Sequence, residues 1–426
     1  MLIRLNKLIG LNGETVIRLL MVFSLTLFIV EIAYAEDKAV KSQRLPDYIT
    51  EAFGPIKPED YQNGGVRIIK TKAFTEAAAG YNESNPRWSP SARTIAYERS
   101  EGSNKEIVIR DIKGEILDTL MLNSKGERKK KGVEDFLFDE MKDVDAGYNA
   151  NLSWSPDGKG FAFMSNSSQG DYDVYIGGIN ERLRKIAGHK EKDGQPVWSP
   201  AGDKIAFVSG RSGKGDIYIY DIKRNITAQL TFGDKVELYP NWSPDGKRIA
   251  FISGDDDNHD ICVINDIDRP KESLKCLTEW FFDDLAPTWS PDGAMIAFYS
   301  NYHPSDEAGI WSIFAIKADG SDFTKGKGLT EKMIAADVIA DVEAGPAWSP
   351  DSSKIFYVKN AKDEFNPIYA VDLKNKRHYK LDTGTKMNHD IACSGDGILS
   401  FRAQVDQWDH IFIALTNFVL QKYPSP

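Results

Sequence analysis

The 426-residue chain is poor in cysteine (three) and histidine (six), and it has no surplus of positive charge, with 53 basic against 63 acidic residues. The acidic balance excludes a general nucleic-acid or anionic-membrane surface, since both need clustered cations. One basic cluster, residues 128–131 (RKKK), is followed at once by acidic residues and reads as a solvated loop. No C-x-x-C-H is present, so the chain attaches no c-type haem of its own. No G-x-S-x-G is present either, which removes the strand-turn-helix nucleophile of α/β-hydrolases. The apolar stretch at residues 19–30 (LLMVFSLTLFIV) is 12 residues long, against the ~20 that a spanning helix needs. Arg4, Lys7 and Arg18 precede it and Ala33-Tyr34-Ala35 follows it. Residues 1–35 are therefore read as a secretory signal peptide, with an uncleaved anchor as the alternative. Removing them leaves 50 basic and 61 acidic residues, a net charge of −11.

What is present is a repeat. Trp-Ser-Pro recurs at Trp88, Trp154, Trp198, Trp242, Trp289 and Trp348, with spacings of 66, 44, 44, 47 and 59 residues. A unit of this length matches the four-stranded blade of a β-propeller. In the clearest copy, residues 239–243, 248–253, 260–265 and 273–278 alternate as strands A to D. Pro244 presets φ for a tight turn and Gly246 tolerates the positive φ that closes it. Each tryptophan supplies a large plate between neighbouring blades. From each Trp, strand C begins 19 residues later at Ile107, Ile217 and Ile261, 20 later at Val174 and Ile368, and 21 later at Ile310.

A seventh, degraded copy begins at Cys393, where ACSGDGILSF keeps the turn but loses Trp and Pro, and Ile411 falls 18 residues on. It lacks a fourth strand at its C-terminal end. Residues 66–75 (VRIIKTKAFT) end in Thr like the other D strands. The expected architecture is thus an all-β, seven-bladed propeller of four-stranded antiparallel blades over residues 66–426, its ring closed by an N-terminal strand joining the last blade. Residues 36–65 form an N-terminal extension. Closure of this kind leaves few open sheet edges.

The repeated PxWSPDGxxIAFxS…IYxxD…LT resembles the TolB-type, WD-repeat-like propeller family over residues 66–415. TolB itself is a six-bladed propeller behind a separate α/β domain, so the resemblance implies the fold and an exported, periplasmic or equivalent location rather than the TolB role. In architecture and size class the chain also resembles the haem-free propeller subunit of multi-haem complexes such as hydrazine synthase. That resemblance implies c-type cytochrome subunits as partners, with haem only in the partner.

In such a fold the B–C and D–A loops share one face. Insertions at residues 123–149, 300–309 and 331–345 all fall there, and repeat proteins place variable insertions on the binding face. On it, Trp280, Phe281 and Phe282 in EWFFDD, with Trp408, Tyr302 and His303, are the candidate partner-binding residues. The alternative is that two of the loop aromatics fold down onto the ring. Asp255, Asp256, Asp257, His259 and Asp260 are the candidate ligands for Ca²⁺ or a transition metal, weighed against a solvated acidic loop without EF-hand spacing. His189, His259, His303, His389 and His410 map to the same face without ligand spacing along one strand. The channel mouth is expected at Asn85, Asn151, Gln195, Tyr239, Ala286, Gly345 and Asp390, a mixed ring without paired carboxylates.

Cys262 in strand C and Cys276 in strand D are symmetric about the connecting turn. Opposed antiparallel residues stand within disulfide reach, so a bridge is expected and Cys393 is left as a free, buried thiol. No residue is assigned a catalytic role. The expected function is a scaffold or accessory subunit presenting its loop-rich face to a partner protein. The alternatives are a periplasmic small-ligand or metal-binding propeller, or a TolB-like envelope interaction protein.

Overall fold

The computed structural model describes residues 45–423, except 62–64, 76–79, 103, 123–147, 167–171, 188, 256–257, 305–309, 323–328 and 362–364. The signal-peptide segment and the insertion at 123–147 lie outside the described residues. No helix among those described is long and apolar enough to cross a membrane.

The chain is all-β and propeller-like. Among the described residues its strands form five four-stranded sheets and one eight-stranded sheet. The unit is plainest in Val236–Trp242, Ile249–Asp255, Asn258–Ile264 and Leu274–Cys276, paired antiparallel in that order. Strand alternation explains the stacking, because successive side chains face opposite sides. Ala250, Ile252, Ile261 and Val263 pack toward Ile296, Phe298 and Phe314 of the next sheet. Ile249, Phe251, Cys262 and Ile264 pack toward Ala206, Val208, Ile217 and Ile219 of the preceding one. The middle strands are buried on both faces, and no sheet owns a core of its own.

The repeated tryptophans do more than fill space. The Trp154, Trp242, Trp289 and Trp348 Nε1 groups donate to the carbonyls of Arg87, Val197, Asn241 and Thr288 at 3.1, 3.1, 3.0 and 3.3 Å. Each acceptor directly precedes the tryptophan of the preceding repeat unit, so indole and backbone latch neighbouring units together. The turn that follows is self-contained. In the Trp242 copy the Arg248 N–H donates to Ser243 Oγ at 3.0 Å and the Lys247 N–H to Asp245 Oδ1 at 3.1 Å. Gly246 sits at φ +69°.

At the chain ends, Ile68–Ala73 pairs antiparallel with Trp408–Thr416, so one four-stranded sheet takes its outer strand from the N-terminal region. Thr75 Oγ1 accepts the Ile411 N–H at 3.1 Å. The apolar face of this sheet (Ile398, Ile411, Ile413, Leu415) shares a core with Ile95, Tyr97 and Val108 of the first. Before that strand, a helix at Asp47–Phe53 buries Tyr48, Ile49, Ala52 and Phe53 against the same core. Cys262 and Cys276 are directly opposed in register and joined by a disulfide, a link worth ~3 kcal/mol for a loop of this length. Cys393 is free and half-buried rather than buried.

Two expectations about strands are also corrected. Residues 331–345 are not simply a D–A loop, because Met333–Ile339 is itself a strand. It pairs with Trp311–Lys317 on one side and, at Val338 and Ile339, with Lys354–Lys359 on the other. This double pairing fuses two units into the eight-stranded sheet and leaves the next first strand only Ala347–Trp348. Second, Ile313, not Ile310, holds the strand-C position opposite Tyr299, because the preceding insertion delays the strand by three more residues.

Candidate functional site

The aromatic loop divides as its alternative reading allowed. Trp280 is buried, stacked on Tyr302 at 5.8 Å, edge-on to Phe282 at 5.3 Å and to Phe314 at 5.4 Å. Phe282 in turn meets Tyr302 edge-on at 5.0 Å. Phe281, standing on this pedestal, is 98% exposed. A loop that spends two aromatics on anchoring presents the third to solvent. His303 pairs with Asp337 at 3.3 Å, its side chain mostly buried. Trp408 is not in a loop: it opens the strand Trp408–Thr416, opposite Val405, and is half-buried.

The candidate metal ligands among the described residues take separate partners. Asp255 pairs in strand register with Asn258, while His259 Nδ1 lies 3.0 Å from Asp283. Asp260 is buried toward the neighbouring sheet. Asp256 and Asp257 lie outside the described residues. Among the described residues no three His, Cys, Asp or Glu side chains stand in a metal-holding group.

Asp260 belongs instead to a set of polar groups buried between sheets. Thr278 Oγ1 accepts the Ile261 N–H at 2.8 Å, and the Trp280 indole donates to Asp284. Burial, reinforced by Asp260 and opposed by hydrogen bonds from Ser300, Trp280 and Thr278, pushes the Asp284 carboxyl up to about 8. One seam earlier, burial raises Glu237 to about 7 beside Asp216 and Thr231. At the seam between chain ends the partner of the acid is a histidine: Glu83 lies 3.7 Å from His410 Nδ1. These groups tie sheets together and face away from solvent.

The channel is the region that sequence reasoning underestimated. All seven positions expected at its mouth adopt positive φ, from +50° at Gln195 to +73° at Gly345. At Asn85, Asn151, Gln195, Tyr239, Ala286 and Asp390 a register shift bulges the strand there. A bulge turns backbone N–H groups inward and leaves them unpaired in the ladder. Neighbouring side chains accept them: Asn85 N–H to Asp390 at 3.3 Å, Asn151 N–H to Glu98 at 3.0 Å and Tyr239 N–H to Gln195 at 2.7 Å.

Into this ring drops the turn at residues 341–345. Asp341 Oδ1 accepts the Glu343 and Ala344 N–H groups at 3.2 and 3.0 Å, and the Gly345 N–H closes on the Asp341 carbonyl at 2.8 Å. Gly345 is required, since an added Cβ would lie 2.4 Å from Thr288 and 2.6 Å from the Ala286 carbonyl. The Glu343 carboxylate accepts from the Asn85 and Asn151 side-chain amides, and its carbonyl from Arg87 at 3.1 Å. Val342 and Glu343 border cavities on both sides, about 300 and 440 Å³. The smaller is lined by Lys105, Asp341, His389, Asp390 and Arg402, the larger by Trp88, Trp154 and a row of prolines. Burial, together with the Asp390 charge, raises the Asp341 carboxyl to about 6. The paired carboxylates absent from the expected ring therefore arrive from the insertion.

The family model for the TolB β-propeller domain matches residues 141–326. TolB from Acinetobacter baumannii is 23% identical over 56% of this chain and 52% of its own, with a TM-score of 0.41, so the chain spans about half of that protein. A putative TolB from Agrobacterium tumefaciens is 20% identical over 56% of this chain and 78% of its own, with a TM-score of 0.42. An oligogalacturonate lyase from Vibrio parahaemolyticus aligns over 82% of this chain and 96% of its own, at 12% identity and a TM-score of 0.55. At that identity the likeness is one of fold.

Proposed function

We propose that this chain, which carries a TolB-type β-propeller domain, is an exported, non-catalytic seven-bladed scaffold that presents its insertion-rich face to a partner protein. The observation that carries the reading is Phe281, 98% exposed on a packed aromatic base. An anchored, rigid and solvent-facing aromatic is the kind of residue that dominates protein interfaces. The ring itself is supported by the strand pairing of Ile68–Ala73 with Trp408–Thr416 and by the core shared between the first and last sheets. The finer form of the proposal is an accessory subunit of a multi-haem redox complex of the hydrazine synthase kind, with haem held by c-type cytochrome partners.

Co-purification from the native extracytoplasmic fraction, followed by size exclusion with haem absorbance, tests it. Co-elution with a cytochrome that Phe281→Ser abolishes, the fold remaining intact, is the expected result. A monomer that elutes alone, with and without that substitution, overturns it.

A further inference from the structure

We propose that Asn85, Arg87 and Asn151 form a carboxylate-recognition site in the channel, occupied here by the chain's own Glu343 and open to a small organic acid in its place. The donors come from the first two sheets, while Glu343 comes from an insertion 258 residues away from Asn85 in sequence. The Asn85 amide spans two carboxylates, Glu98 at 3.1 Å and Glu343, and Asn151 Nδ2 reaches Glu343 at 3.4 Å. Arg87 adds a cation that holds the same residue by its carbonyl.

Three features separate an occupied site from an ordinary structural contact. Glu343 is exposed, not packed away, so water-borne solutes reach it. The turn that carries it is fixed by its own Asp341 bonds and belongs to no strand ladder, so the Glu343 side chain can swing aside while the turn stays in place. Cavities of about 300 and 440 Å³ flank it, the lower one the size of small-ligand pockets. The donors give the ligand class: the Asn85 and Asn151 amides point N–H groups at the position that the Glu343 carboxylate fills, beside the Arg87 cation. In Glu343→Ala the Arg87 bond to the main-chain carbonyl remains, while the half-buried Asn85 and Asn151 amides each lose an acceptor that an incoming carboxylate restores with charge-assisted bonds.

The test is chemical rescue. Glu343→Ala empties the site, and sodium propionate is the probe. Propionate is expected to raise the unfolding midpoint of this variant by ~2–4 °C at concentrations well above its dissociation constant, whereas equimolar sodium chloride or propanol leaves it unchanged. The rise should vanish when Asn85→Ala and Asn151→Ala are added. A folded Glu343→Ala protein indifferent to propionate, or a rise that survives loss of both asparagines, overturns the proposal. If Glu343→Ala does not fold, the unaltered protein is titrated instead. Propionate, but not chloride, should then shift the side-chain amide resonances of Asn85 and Asn151, and unmoved resonances overturn the site. None of these outcomes depends on the partner reading, which rests on Phe281.

Discussion

The turn after Trp242 and the turn after Cys393 share a sequence plan and solve different problems. In the first, Asp245 bonds its own Ser243 Oγ at 2.5 Å and the Lys247 N–H, and the turn is complete in itself. In the second, Asp396 faces outward to Tyr48 near one chain end and to Lys422 and Tyr423 near the other. The turn is also a residue shorter, since Cys393 pairs with Leu399 where Trp242 pairs with Ile249. Gly397, at φ +90°, lies so close to the C-terminal helix that a Cβ would come 2.9 Å from Phe418 Cβ. An internal turn needs only to reverse the chain. The turn after Cys393 must also hold the Tyr48 helix and the helix after Trp408–Thr416, and its lost Pro and Trp mark that second duty.

The comparison breaks first if the N-terminal strand is dispensable. Removing residues 36–76 deletes the pairing with Trp408–Thr416 and the Tyr48 contact together. Cooperative unfolding is expected to fall by tens of degrees or be lost, and an unchanged melting curve would refute the closing role. Next in size is Gly397→Val. Positive φ and the Phe418 contact together predict a loss of about 2–4 kcal/mol in denaturant titration, whereas Gly246→Ala, with Pro200 no nearer than 3.6 Å, meets only the strain of φ and should lose about 1 kcal/mol.

The seams sharpen the contrast through pH. Asp284 and Glu237 have folded-state carboxyls raised to about 8 and about 7, so the native state binds protons that the unfolded chain releases. Stability carried by these seams therefore rises as pH falls from about 8 toward the ordinary carboxylate range. Asp284→Asn should flatten that slope in urea titrations between pH 6 and 9, taken as roughly one unit to either side of the native titrations. Asp396 has the opposite sign. Despite a burial penalty, its bonds from Lys422, Tyr48 and Tyr423 hold it below the usual range, and its contribution is lost on acidification through that lowered value. The smallest effect concerns the latches. Trp242→Phe removes a bond to Val197 and should cost about 1 kcal/mol. Trp198→Phe should cost less, because the Trp198 Nε1 group has no hydrogen-bond partner among the described residues to lose.

Where local chemistry decided the structure, the sequence was readable. The Trp-Ser-Pro spacing, the turn glycines and the Thr-ended strands reported the repeat, and symmetry about one turn reported the Cys262–Cys276 bridge. The N-terminal strand was recognisable because it carries the fourth-strand pattern that the last unit lacks. Met333–Ile339 was hidden because it lacks the Thr-ended pattern and changes partner along its length, a choice made by tertiary geometry. Trp408 was misplaced because Asp406 at φ +55° permits a tighter hairpin than its neighbours suggested. The channel turn was invisible for a simpler reason: nothing in the local sequence ties Glu343 to Asn85 and Asn151.

The sheet that joins both ends also sets a timetable. Ile68–Ala73 precedes its partner Trp408–Thr416 by more than 300 residues, so the earlier strand must wait, unpaired, until the later one is made. Long-range pairings of this kind are slow to form. Until Trp408–Thr416 arrives, the emerging chain has an open edge that a chaperone or a neighbouring strand can occupy.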